Sequence, residues 1–172
     1  MRNSILKKLK ALVLLSITFS FLTYAAAQKP VSLTIDLTLP EISAEPYHRP
    51  YVAVWIETAN RKGVHTLAFW SEQEEWFKDL RQWWRKIGRN TDNYDGVSGA
   101  TRKPGQYKLS WQGKLANGAQ LEQGDYVLHF EAVREQGSRE YLKQKISWVE
   151  GEKQTFTLQG QAELGSITIT IE

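Results

Sequence analysis

The residues best placed to do chemistry in this 172-residue chain stand together in Asp95-Gly96-Val97-Ser98-Gly99-Ala100-Thr101, with Arg102 and Lys103 following at once. A carboxylate, two hydroxyls and two cations share one short stretch. The composition is that of a loop: Asp-Gly is a turn signal, and Gly, Ser and Thr cluster around it. Gly96 and Gly99 leave the backbone adaptable. Arg102 and Lys103 offer the donors and positive charge that a phosphate needs. On the plainer reading both cations are simply solvated. Pro104-Gly105 closes the segment.

Other chemistries find no support. The chain has no Ser–His–Asp ordering, no His-Glu-x-x-His, no Gly-x-Ser-x-Gly and no phosphate loop. Its three histidines are scattered and form no metal spacing. His48 falls in a loop, and His129 is expected on the surface. Cysteine is absent, which excludes disulfides, thiolate metal sites, iron–sulfur clusters and covalent c-type haem.

Residues 1–27 read as a cleaved signal peptide. Arg2, Lys7, Lys8 and Lys10 form a basic start, residues 11–22 are mostly apolar, and Ala25-Ala26-Ala27 is a small-residue cleavage site. The apolar run is short for a membrane span, so no stable span is expected after cleavage. The leader suits export to a bacterial periplasm. It also carries four of the 22 Lys and Arg and none of the 19 Asp and Glu. The remaining chain has 18 cations against 19 acids, a net charge of −1. A nucleic-acid footprint is therefore not indicated.

Residues 28–172 have the length of a single domain. Residues 31–39 alternate apolar and polar as a half-buried strand does. Residues 51–58 and 64–70 read as a hairpin around Asn60-Arg61-Lys62-Gly63. The period then changes. Ser71 with Glu74 resembles a capping box, and Trp76, Phe77, Leu80, Trp83, Trp84 and Ile87 recur at helical spacing. One amphipathic helix over 71–87 is expected, with Gly88 as its C-cap. Its tryptophans are expected to bury it against a sheet, with one or two of them free to shield a ligand. Residues 89–105 form the long loop that holds the reactive stretch. Strands follow at 106–111, 125–135, 141–149, 153–158 and 162–171. About eight short strands with regular turn signals predict a mainly β, antiparallel sandwich.

Three resemblances sharpen this reading. Asp95, Ser98, Gly99, Ala100 and Thr101 match the flavinylation motif of FMN-binding subunits in sodium-pumping NADH:quinone oxidoreductases and Rnf-type complexes. Five such positions coincide by chance in on the order of one window in a million, so the match stands above background. The resemblance implies that Thr101 is the covalent acceptor of FMN, linked through a phosphoester. It makes Asp95, Ser98, Gly99 and Ala100 recognition residues for an FAD:protein FMN transferase, and Arg102 and Lys103 neighbours of the phosphate. An acceptor of this kind is expected to be exposed.

The second resemblance runs from Tyr107-Lys108-Leu109-Ser110-Trp111 through Gly113, Gly118 and Gly124 to Tyr126. It is similar to the Ig-like repeat of the flagellar hook-capping protein. The third covers the whole chain after the leader. The strand Tyr51-Val52-Ala53-Val54-Trp55-Ile56-Glu57, the Trp-rich helix, the loop from Gly96 to Gly105, Trp111-x-Gly113 and the Glu131-Ala132-Val133-Arg134-Glu135 strand resemble the periplasmic domain of unknown function family 2271.

Together these imply a small Ig-like protein that carries covalent FMN outside the cytosol. It would be an electron carrier and a transferase substrate rather than an enzyme with its own turnover. Its other partner would be a membrane or periplasmic redox protein. The alternative is a non-redox Ig-like binding or assembly module without cofactor.

Overall fold

The computed structural model describes residues 30–91 and 96–172. The signal-peptide reading and Asp95 lie outside the described residues.

The alternation in the first strand sets up the core. In β1 (Leu33–Leu39), Leu33, Ile35, Leu37 and Leu39 are buried, while Thr34, Asp36 and Thr38 point outward. It lies between β5 (Gly105–Trp111) and β9 (Ser166–Ile171), antiparallel to both. β8 (Gln154–Gln159) completes a four-stranded sheet in the order β5-β1-β9-β8. Ile167, Ile169 and Ile171 of β9 face inward beside the β1 leucines.

The second sheet has the order β4-β3-β2-β6-β7. Its strands are β2 (Tyr51–Thr58), β3 (Gly63–Trp70), β4 (Ser98–Gly99), β6 (Gly124–Val133) and β7 (Arg139–Trp148). Neighbours are antiparallel except for β3 and β4, which run parallel. Val52, Val54 and Ile56 of β2 and Leu128 and Phe130 of β6 pack on the first sheet. The described strands thus form a mainly β sandwich of two sheets, antiparallel but for the β3–β4 pair. Trp111 and Trp148 close one end, with ring centroids 5.3 Å apart. Gly113 sits under Trp148 with φ +75°, and a Cβ there would lie 2.8 Å from the indole. This accounts for the glycine two residues after Trp111.

The outer face of the second sheet departs from the sandwich pattern. Every residue from Tyr51 to Glu57 is buried, so β2 is covered on both sides. The cover comes from the Trp-rich segment. It is not one helix over 71–87, as its periodicity predicts. A 3-10 turn (Glu74–Asp79), a short α1 (Arg81–Lys86) and a second 3-10 turn (Gly88–Asn90) follow one another. The break is at Leu80, whose ψ of 69° is not helical. Leu80 plugs fully buried into the sheet, and the capping box is not formed. Trp83 stacks on Phe69 at 4.1 Å and donates its indole N–H to Thr66. Full burial of each such ring contributes about 1.5–3 kcal/mol. Gly88 begins the last turn because the rings of Trp83 and Trp84 crowd it: an added Cβ would lie under 3 Å from both.

Candidate functional site

The stretch that ends in Thr101 is not a free loop. It is laid along the edge of β3. The Phe69 N–H donates to the Val97 carbonyl at 2.8 Å, and the Ser71 N–H donates to Gly99 at 2.9 Å. Gly96, at φ +83°, turns the chain into this short β4. The side chains of Ser98 and Ala100 are exposed. Glycine at 99 is not required by the fold. Its φ is not positive, and a Cβ there would make only ordinary contacts, 3.7 Å from Arg102 and 3.8 Å from Trp70.

Thr101 corrects the expectation of an exposed acceptor. It is only 4% exposed, and its hydroxyl donates to the Glu72 carboxylate just after β3. Its neighbours remain outside. The Arg102 guanidinium lies 5.4 Å from the Trp70 ring centroid and 5.8 Å from that of Tyr107, so it is an aromatic-bound cation rather than a freely solvated one. Lys103 is exposed, and its carbonyl accepts the Tyr107 hydroxyl at 2.6 Å. The structure therefore brings Ser98, Gly99, Ala100, Thr101, Arg102 and Lys103 into one edge segment, with Glu72 as a partner that no sequence pattern announced.

Two grooves flank the segment. One, of about 540 Å³, joins the loop between β1 and β2 to the far end of the segment; Ile42, Tyr47, Arg49, Lys103 and Pro104 line it, with Glu41 and Ser43. Burial pushes the Tyr47 phenol up from its ordinary value. The other groove, of about 220 Å³, lies between β3 and β5 and includes Gly96, Val97 and the stacked pair His65–Trp111. Burial lowers the basicity of His65.

A second group of polar side chains lies beneath α1. His129, expected at the surface, is 5% exposed. It stacks on Trp55 at 4.8 Å, and its Nδ1 is 2.6 Å from the Tyr141 hydroxyl. Its Nε2 lies 3.4 Å from Glu57, which also accepts the Trp55 indole N–H and faces Lys86. Burial holds His129 down at about 4, against the pull of Glu57, and holds Tyr141 up at about 12. Both are neutral at pH 7. The carboxylate beside Nε2 favours the proton there, so Tyr141 donates to Nδ1. Alongside, the fully buried Glu131 accepts the backbone N–H groups of Gln82 and Trp83 and the guanidinium of Arg139. It ties the start of α1 to the sheet. Among the described residues, no cluster of three or more His, Asp or Glu side chains is arranged to hold a metal ion.

Fold and edge segment together define a β-sandwich protein with a Trp-rich cap and a hydroxyl-bearing strip on one sheet edge. The chain belongs to the family described as predicted periplasmic protein (DUF2271), whose model matches residues 32–166. No curated protein and no solved structure gives a significant match. No helix among the described residues is long and apolar enough to cross a membrane.

Proposed function

We propose that this protein is an exported electron carrier with FMN covalently attached to Thr101. The observation that carries the reading is the edge strip itself. Ser98, Gly99, Ala100 and Thr101 keep the order of the flavinylation motif, and at Gly99 the fold makes no demand for the residue found. A glycine that neither packing nor backbone requires is accounted for by recognition in a second enzyme's active site.

The residues present fit the group once Thr101, buried in this structure, is uncovered. Glu72 must leave the Thr101 hydroxyl, and as an exposed side chain it is free to swing into water. Lys103 and Arg102 then follow directly, two cations against the phosphate charge. In the transfer, Thr101 Oγ forms a bond to the FMN-side phosphorus of FAD, the bond to AMP breaks, and the hydroxyl proton passes to a base of the transferase. The phosphate charge would be neutralised by magnesium supplied in the transferase's own active site. Once attached, FMN supplies one- and two-electron redox chemistry. A covalent link keeps the cofactor with its carrier outside the cytoplasm. The partners are then the transferase and a membrane or periplasmic redox protein.

The hydrogen bond between Thr101 and Glu72 favours a second reading, a cofactor-free Ig-like binding module in which Thr101 is a satisfied structural hydroxyl. Intact mass separates the two. Co-expression with an active FAD:protein FMN transferase is expected to add about 438 Da, one FMN less water, and Thr101→Ala to abolish the gain. An unmodified mass beside a modified control substrate leaves the binding module.

A further inference from the structure

We propose that the groove between the β1–β2 loop and Lys103-Pro104 is the berth of the flavin ring, with Tyr47 and Arg49 as its ligands. This rests on FMN being attached at Thr101. Four observations support it.

Size separates the two grooves beside the strip. Sites for small molecules and cofactors enclose roughly 300–1,000 Å³. The groove at Lys103 holds about 540 Å³, whereas the one at Gly96 holds about 220 Å³.

Reach agrees. Lys103 is two residues beyond Thr101, at most about 7 Å along an extended backbone. The ribityl arm of FMN spans a comparable distance from phosphate to ring.

The lining matches the ligand in kind. Tyr47 gives an aromatic surface and Ile42 an apolar one. The Arg134 guanidinium lies 5.8 Å from the Tyr47 ring centroid, and Arg134 is itself held by Glu163 at 3.1 Å. The Tyr47 ring is therefore backed by an anchored group. Opposite, the Lys103 backbone is fixed by the Tyr107 hydroxyl.

Charge gives the berth a consequence. Arg49 and Lys103 outnumber Glu41 in the lining. Cations near the ring stabilise the anionic reduced flavin and raise its potential.

The test uses the full chain co-expressed with transferase, with the mass gain checked first. Flavin fluorescence and midpoint potential are then compared among wild type, Tyr47→Leu, Arg49→Gln and Trp111→Leu. Wild-type fluorescence is expected to be quenched relative to the flavinylated peptide released by proteolysis. Tyr47→Leu should raise it several-fold. Arg49→Gln, at an exposed position, should shift the potential to more negative values. Trp111→Leu, in the smaller groove, should change neither. Emission and potential unchanged in both the Tyr47 and Arg49 variants would overturn the berth while leaving the attachment intact. So would a response to Trp111→Leu alone. A wild type without the mass gain removes the attachment and the berth together.

Discussion

The polar groups beneath α1 and those on the edge of β3 use similar residue types to opposite ends. Under α1, Glu131, Glu57, His129 and Tyr141 are enclosed by aromatic rings, and Glu131 alone answers two backbone N–H groups and a guanidinium. At the edge, Thr101 is also buried, but its hydroxyl is held by one exposed carboxylate, and its segment by two backbone hydrogen bonds along the edge of β3 and by the contacts of Arg102 and Lys103 with Trp70 and Tyr107. The first region cannot release any one member without leaving another unpaired in a low-dielectric interior. The second can, because water replaces what Glu72 gives. Burial alone therefore does not mark a residue as structural; what it costs its neighbours to let go does.

The comparison breaks most sharply at Glu131. Glu131→Ala strands the Gln82 and Trp83 N–H groups and Arg139, and should destabilise the protein by about 3–5 kcal/mol. Chemical denaturation reads this directly, and a loss under about 1 kcal/mol would mean that α1 is not tied down through this carboxylate.

Next in size is a pH effect. His129 sits at about 4 in the folded protein, below the ordinary value near 6.5. Between those values the unfolded chain binds more protons than the native one. Stability should thus be full above pH 6.5 and fall as pH drops toward 4, by on the order of 3 kcal/mol. His129→Gln should flatten that window, which melting curves from pH 4 to 7.5 would register.

The smallest stability change is expected at the edge. Glu72→Gln should cost about 1 kcal/mol or less, since the Glu72 side chain is exposed and a glutamine oxygen can still accept from Thr101. Its effect should appear instead in the transferase reaction: with Thr101 held less firmly, initial flavinylation should speed up. A slower reaction would mean that Glu72 assists the hydroxyl rather than restrains it.

The strands were readable because their side chains obey a period of two wherever one face meets the core; β1 and β9 are clear cases. The helix was misread for a related reason. Trp76, Phe77, Leu80, Trp83 and Ile87 satisfy helical spacing, but two short turns that step at Leu80 satisfy it as well. Alternation with the core residues Leu128 and Phe130 puts His129 on the outer face of β6. That face of a simple sandwich meets water, and here the Trp-rich segment covers it. The order of Ser98 to Lys103 was plain in the sequence, whereas the hold of Glu72 on Thr101 and the groove shared by Tyr47, Arg49 and Lys103 were not. Both join loops distant in sequence, where no periodicity speaks.

The parallel pairing of β4 with β3 has one further consequence, for solubility. Among the described residues, two of β4 pair with that margin of the five-stranded sheet. Were the strip to lift from β3, the N–H groups of Phe69 and Ser71 would lose their acceptors. An uncovered strand margin is a template for pairing with any extended chain, a second copy included. Anything that lifted the strip would thus also open a site for self-association, a hazard that the short cover strand keeps small.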